Sequence, residues 1–547
     1  MDIQPWWRGA VIYQIYPRSF MDASQDGIGD LKGIINKLPY VNSLGVDAIW
    51  ISPFFKSPMK DFGYDISDYR EIDPMFGTMA DFEQLMTTAK TLDLKVIIDQ
   101  VLSHTSDQHV WFTESRQDRT NDKADWYVWA DANEDGTPPN NWLSIFGGCA
   151  WQWEPRRQQY FLHNFLTSQP DLNFHNEDVR KAVLDNVEFW LKLGVDGFRL
   201  DAINFCFHDK QLRDNPAKAV EDRQGRGFSE DNPYAFQYHY YNNTQPENIE
   251  FMEEIRALMD QYPGVVTLGE ISSEDSLHTM AEYTQGDKRL HMAYSFELLT
   301  PDGSPKYIRN TVEALEGKLA DGWPCWAIGN HDVTRVATRW AQAETISQQS
   351  KMFNALLASL RGSVCTYQGE ELGLTEADIN FADLQDPYGI TFWPTFKGRD
   401  GCRTPMPWQK NEINAGFSES QTPWLPVGSA HANDAVDLQE QASDSVLAAY
   451  RTFLGWRKRQ LCLQYGDINF IESDDEKLVF KRSYQETEHQ ETIVVVANFT
   501  DKPLEYVING EAPKLLIGHG FEEVTLPADT KNLMVGAFQI AYIALNE

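Results

Sequence analysis

Nowhere in the 547 residues do 18 uncharged apolar side chains follow one another, so nothing in the chain reads as a membrane-spanning helix. The N-terminal stretch MDIQPWWRGAVIYQIYPRSF has no basic region leading into a long apolar run and no small-residue cleavage site, which predicts an unexported, cytoplasmic protein. Cysteine is scarce and scattered. The six (Cys149, Cys206, Cys325, Cys365, Cys402 and Cys462) form no CxxC pair and no disulfide-dense module, so reduced thiols in a cytosolic protein are expected. Positive charge is also short, with Lys+Arg 47 against Asp+Glu 81. Such a surface repels phosphate backbones and anionic headgroups, which argues against nucleic acid and membranes as partners. The acidity serves solubility; a saline habitat, where salt screens self-repulsion, would favour the same excess. Fixed-period repeats and low-complexity linkers are absent as well.

What the chain does have is an alternation of strands and helices. Short β-rich runs stand at 11–17, 46–53, 94–101, 197–202, 265–271, 292–298, 325–330 and 363–369, with amphipathic helices between several of them. Eight is the strand count of a parallel (β/α)8 barrel, so the predicted class is α/β. A helix is predicted from Glu177 to Leu193, with Val179, Val183, Val187, Trp190 and Leu191 on one face, Asn176 as cap and Gly194 as stop. Another is predicted from Pro246 to Tyr262, with Phe251, Ile255, Leu258 and Met259 inward.

Two interruptions break the alternation. After the third strand come about 75 residues rich in Trp, Asn, Gly and Pro, too long for an ordinary loop and read as an inserted domain over the barrel mouth. The second spans 204–245 at the same rim; a further rim excursion, near 375–425, follows the eighth strand. Beyond about Leu463 the runs KLVFKRSYQ, ETIVVVANFT, LEYVING and AFQIAYIAL predict an antiparallel β domain. The expected organisation is therefore barrel over 1–103, insert over 104–168, barrel again over 169–463 and β domain over 464–547.

Asp201, Glu270 and Asp332 each close a short apolar run, in GVDGFRLDA, VVTLGEIS and CWAIGNHD. Strand ends of a parallel barrel face one rim, where βα loops build active sites, and two carboxylates suffice to cleave a glycosidic bond. Arg199 precedes Asp201 by two residues, so both project from one side of the strand and the guanidinium is expected to keep the aspartate ionised as a nucleophile. The apolar setting of Glu270 suits it to act as acid and then base. Asp332, beside His331, is placed to hold hydroxyls and stabilise an oxocarbenium-like transition state. Asp99 and His104 in DQVLSHTS extend the cluster.

In the order GVDAIWISP, DFGYDISDY, DQVLSHTS, QPDLNFHN, GFRLDAIN, GEIS and GNHDVTR, these motifs span essentially the whole chain. The sequence resembles the α-amylase superfamily, and within it the bacterial α-glucosidase and oligo-1,6-glucosidase group. The resemblance implies a TIM barrel with an inserted B domain after strand 3 and a C-terminal β-sandwich. It also implies Asp201 as nucleophile, Glu270 as acid/base and Asp332 as transition-state stabiliser. Asp61, Tyr64, His104, Arg199, His331 and Arg399 match positions that bind the nonreducing-end glucose, with Phe146 and Phe165 as apolar walls. Two departures mark a distinct subgroup: Ser103 stands where Asn is usual, and GRDGCRTPMPW where GRDPMRTPMQW is usual.

The segment DASQDGIGDLKGI at 22–34 begins like the first half of an EF-hand loop. Asp22, Ser24, Asp26 and Asp30, with the Ile28 carbonyl, offer oxygens for a hard cation, although Gly33 stands at the position of the EF-hand glutamate and no helix precedes the loop. Related enzymes carry a structural Ca2+ or Mg2+ in a similar loop.

The reading predicts an exo-acting, retaining α-glucosidase acting on short α-glucosides, as monomer or homodimer. Ala202 beside the nucleophile favours α-1,4 links such as maltose, because a small side chain leaves room for a secondary-alcohol leaving group where a branched one narrows the opening. Transglucosylation, α-1,6 preference, and sucrose or trehalose isomerisation share the same catalytic residues. A noncatalytic transporter-associated relative is a remoter alternative, set against by the presence of all three acids.

Overall fold

The computed structural model describes all residues except 1–3, 224–230, 487–488, 509–510, 519, 526, 528–529 and 547. Part of the 204–245 excursion and the last two residues of LEYVING lie outside the described residues.

All eight predicted strands are present: β1 (Val11–Ile15), β2 (Ala48–Ile51), β3 (Lys95–Val101), β4 (Gly197–Asp201), β5 (Val266–Ile271), β6 (Met292–Ser295), β7 (Cys325–Ala327) and β8 (Ser363–Tyr367). They pair in parallel in the order β6-β5-β4-β3-β2-β1-β8-β7, and a parallel bridge between Ala293 and Pro324 closes the ring between β6 and β7. Strands covered on both faces need apolar side chains in both directions, which is why these segments read as short continuous runs.

The outer helices bury the stripes that their spacing announces. Glu177–Lys192 starts where Asn176 accepts from the Asp178 N–H and stops before Gly194, whose φ of +90° no ordinary helical residue adopts. The second predicted helix is shorter, Asn248–Met259, and it buries Met252 where Leu258, only half-buried, was expected.

The insert after β3 carries a small antiparallel sheet of Trp129–Ala130, Trp151–Glu154 and Gln159–Leu162 over its own core of Val128, Trp142, Ala150, Trp151 and Leu162. Its chain returns to the barrel through bridges pairing Asp171 with His104 and Leu172 with Tyr127.

The C-terminal part is an antiparallel sheet of six strands facing a ribbon of two, with Val479, Val494, Val496, Leu533, Val535 and Ile543 between them. Its other face is continuous with the barrel: Phe453 packs on Phe521 and Tyr542 with ring centroids 5.0 and 5.1 Å apart. Arg482, fully buried there, donates to the carbonyls of Ser359 (2.6 Å), Leu360 (2.9 Å), Leu463 (3.2 Å) and Gly466 (2.8 Å).

Candidate active site

At the C-terminal ends of β4 and β5, Asp201 and Glu270 meet over one guanidinium. Arg199 Nη1 donates to Asp201 (2.7 Å) and to Asp99 at the end of β3 (2.9 Å), while Nη2 lies 2.5 Å from Glu270 Oε1. Register explains the meeting. Asp99 is level with Arg199 and Val101 with Asp201, so alternate side chains of neighbouring strands point to one place. Tyr294, level with Glu270 on β6, donates its hydroxyl to Oε1 at 2.9 Å. The other oxygen, Oε2, accepts the Ala202 N–H at 3.0 Å. Ala202 reaches it because its backbone turns left-handed, φ 40° and ψ 45°, directly after Asp201.

The expectation that Arg199 keeps Asp201 ionised needs correction. Burial pushes the Asp201 carboxyl well above the usual range and Arg199 only partly opposes it, since the same guanidinium also serves Asp99 and Glu270. Burial likewise raises Asp99 to about 6, against the pull of Arg199. Asp201 and Asp99 are thus both biased toward holding a proton.

Asp332 follows β7 in the turn GNHD. Burial would raise its carboxyl as well, but here His331, Arg399, Arg403 and Arg199 prevail and hold it well below the carboxylate range. Asp332 Oδ1 accepts from Arg403 at 2.9 Å and from Arg399 at 3.2 Å. Burial keeps His331 itself neutral, so the arginines carry the charge. Gln14 Nε2 sits 2.7 Å from His331 Nδ1, which leaves the ring proton on Nε2, facing the Tyr64 hydroxyl (2.6 Å) and Asp332 Oδ2 (3.3 Å). Arg399 also joins Asp61 (2.9 Å) to the buried Asp386 (2.8 Å), closing one wall.

These groups surround a cleft. Asp61, Tyr64, His104, Phe146, Phe165, Asp201, Ala202, Glu270, Asp332 and Arg399 line it. Arg199 and His331 are fully buried outside that lining and act on the cleft through the carboxylates and the hydroxyl they hold. His104 is tied by Nδ1 to Ser103 Oγ (2.9 Å), the residue that departs from the family pattern, and by Nε2 to the Tyr64 carbonyl (3.1 Å); burial lowers it to about 4, so it is neutral. Phe165 tilts against His104 with centroids 5.0 Å apart, and Arg399 lies 5.2 Å from the Phe146 ring.

Sequence reasoning passed over Gln169, whose amide reaches Asp61 (3.1 Å) and His104 (3.2 Å), and over Tyr294, Tyr388, Asp386 and Arg403. Gln169 opens the quoted motif QPDLNFHN and was the one within reach; the others have no local signature.

The proposed metal residues share one loop, but their carboxylates face inward on its backbone. Asp22 accepts from the N–H groups of Gln25 and Gly27, Asp26 from Ile28, and Asp30 from Ala23, Ser24 and Gly33, so that Asp30 caps helix Leu31–Ser43. The Ser24 hydroxyl donates to Asp22. Among the described residues, no group of three or more His, Cys, Asp or Glu is placed to hold a metal ion.

A model of the α-amylase catalytic domain matches residues 14–466. The chain belongs to the α-amylase family. It is 53% identical over 536 residues to a probable α-glucosidase of Rhizobium meliloti (strain 1021), covering 97% of this chain and 96% of that one. The crystal structure of an α-glucosyl transfer enzyme, XgtA, superposes with a TM-score of 0.94 at 60% identity, over 99% of this chain and 100% of that one. The trehalulose synthase MutB from Pseudomonas mesoacidophila MX-45 is similar at 30% identity and TM-score 0.87, covering 99% of each chain. This family member is a glycoside hydrolase, and its relatives support α-glucosidase activity. Among the described residues, no helix is long and apolar enough to cross a membrane.

Proposed function

We propose that the protein cleaves short α-glucosides from the nonreducing end by double displacement, with retention. The observation that carries this reading is the pair Asp201 and Glu270 ion-paired to the one Arg199 guanidinium at the cleft. Two carboxyls held at one guanidinium can divide between them the roles of ionised nucleophile and proton-donating acid. Asp201 attacks the anomeric carbon, the glycosidic C–O bond breaks, and the Glu270 proton passes to the departing oxygen. Water, or another hydroxyl, then attacks the same carbon, gives its proton to Glu270 and releases Asp201. Asp332, kept ionised by two arginines, faces the positive charge that develops between these steps. The ion-paired wall of Asp61, Arg399 and Asp386 supports exo action, and poor activity on polymers is expected.

The small Ala202 favours maltose over isomaltose, and likeness to a glucosyl transfer enzyme supports transfer beside hydrolysis. Incubation with maltose, isomaltose, sucrose and trehalose, followed by identification of products, tests the whole reading. Maltose cleaved fastest with α-glucose released first is the expected result; prompt β-glucose ends the retaining mechanism, and conversion of sucrose to an isomer without free glucose replaces hydrolysis by isomerisation. A structural Ca2+ or Mg2+ at the loop of Asp22, Ser24, Asp26, Ile28 and Asp30 belongs to the same proposal. Asp22 and Asp30 are buried carboxylates with no ion pair among the described residues, a setting that a cation relieves. Chelation, or Asp26→Ala, is expected to lower Tm by several degrees and leave the pH optimum in place; an unchanged Tm removes the cation.

A further inference from the structure

Two buried glutamates stand side by side just past the end of β8, and they are provided for unequally. Glu371 accepts from the Tyr13 hydroxyl (2.7 Å), the Tyr40 hydroxyl (2.8 Å) and the Gly369 N–H (2.8 Å). Glu370 accepts on Oε2 from the Tyr367 N–H (3.2 Å), and its Oε1 has no hydrogen-bond partner among the described residues. The cations facing it are spent on carbonyls: Arg335 donates to those of Gln368 and Cys402 (both 2.9 Å), and Arg339 to those of Ile328, Thr300 and Thr334. A buried carboxyl left with one donor calls for a reason that anchoring alone does not supply.

The reason lies in the turn GNHD, which follows β7 and carries Asp332. Glu370 fills the space of a side chain at Gly329: a methyl group on Gly329 would collide with Oε1 and stand 3.3 Å from the carbon of the same carboxyl, and apart from its chain neighbours it would meet nothing else within 4 Å. One residue on, Asn330 Oδ1 accepts the Asp332 N–H at 2.9 Å, and one residue before, the Ile328 carbonyl accepts from Arg339. The turn is thus held on both sides of Gly329, with the Glu370 carboxyl against it between. Glu370 does not line the cleft, so it reaches a substrate only through that turn.

We propose that Glu370 is a positioning residue for the reaction, its carboxyl seated in the side-chain space of Gly329 so that the GNHD turn aims Asp332 at the cleft. The inference rests on the reading of Asp332 as the fixed charge. Burial raises the Glu370 carboxyl to about 8, aided by Glu371 and opposed by the Tyr367 N–H, Arg335 and Arg339, so the group is uncharged at neutral pH. An uncharged carboxyl can lie against glycine backbone with a single donor, whereas a carboxylate there would bury an unanswered charge.

A double-variant cycle decides it. kcat and KM for a nitrophenyl α-glucoside are measured for Gly329→Ala, Glu370→Ala and the two combined, with Tm alongside. Each single variant is expected to lose at least about tenfold in kcat while KM stays within about threefold, the signature of a displaced transition-state group. In the combined variant the added methyl group enters the space that the carboxyl vacates, and kcat is expected to recover at least about fivefold over Gly329→Ala. Glu370→Gln, uncharged and of the same shape, is expected to keep at least about a third of the parent kcat. A combined variant no better than Gly329→Ala, single variants that lose Tm or KM but not kcat, or a Glu370→Gln protein as impaired as Glu370→Ala overturns the proposal. Should a single variant fail to fold, a folded and active combined variant sustains the inference, and a combined variant that also fails overturns it. Asp332→Asn in the same assay reports the fixed-charge reading separately: an unchanged kcat there ends that reading, while the cycle still tells whether Glu370 and Gly329 together set the turn.

Discussion

Around Asp201 and Glu270, one guanidinium is divided among three acids, whereas around Asp332 two guanidinium groups, Arg399 and Arg403, converge on one carboxylate oxygen. Both regions are buried and both line the same cleft, yet their carboxyls are pushed in opposite directions: Asp201 well above its ordinary range and Asp332 well below. Burial acts alike on both, so the ratio of cations to acids makes the difference. In the proposed double displacement the first region exchanges a proton during turnover and the second does not, the division that a mechanism with a mobile proton and a fixed charge requires.

The hardest blow to this contrast is removal of either exchanging acid. Asp201→Asn and Glu270→Gln are each expected to lower kcat by several orders of magnitude with near-UV circular dichroism unchanged. Activity within about tenfold of the parent in either variant would mean that the pair is misassigned. Next comes the fixed charge. Asp332→Asn is expected to cost on the order of 10²–10³ in kcat, the range for losing one preorganised electrostatic contact to a transition state. A fall confined to KM would make Asp332 a binding group alone.

Arg199→Lys sharpens the comparison, since an ammonium cannot serve three acids in the fixed geometry of a guanidinium. Arg199 opposes burial at Asp201 and Asp99, so weakening it lets both keep their protons to higher pH. The acid limb of kcat/KM should move up while kcat/KM at the optimum falls by about 100-fold, and a limb that moves down would invert the argument. The smallest effect is expected at Ala202→Val. Two added methyl groups change pocket discrimination by roughly ten- to a hundredfold in the maltose to isomaltose ratio of kcat/KM. Because Ala202 also holds Glu270 through its left-handed backbone, a loss of kcat on both substrates with the ratio unchanged would trace the effect to Glu270 and not to linkage.

Legibility in the sequence followed the range of the interaction. Every barrel strand was readable because continuous burial leaves an apolar run, and Asp201, Glu270 and Asp332 because each ends such a run. In the β domain the polar strand Asp467–Ser473, the wholly exposed Glu522–Thr525 and Glu511–Ile517 with its Pro513 carry no such mark; pairing with neighbours makes them strands. In the site, the divided allegiance of Arg199 was invisible. The i, i+2 spacing disclosed its contact with Asp201, but those with Asp99 and Glu270 depend on how three strands align. Tyr294 and Arg403 are placed by the same long-range register and packing.

Arg482 has a bearing on inheritance as well as on folding. One side chain from the β domain satisfies five carbonyls, drawn from the turn after the helix at Ile346–Leu357, from the chain leading into the β domain and from Asp467 at its start. A cut near Tyr465 would strip barrel carbonyls of their donor, and a recombinant that kept the barrel but took a foreign tail without this arginine would bury them unanswered. The two parts can therefore be exchanged between lineages only as a matched set, and the boundary that looks most natural on paper is among the poorest places to splice the gene.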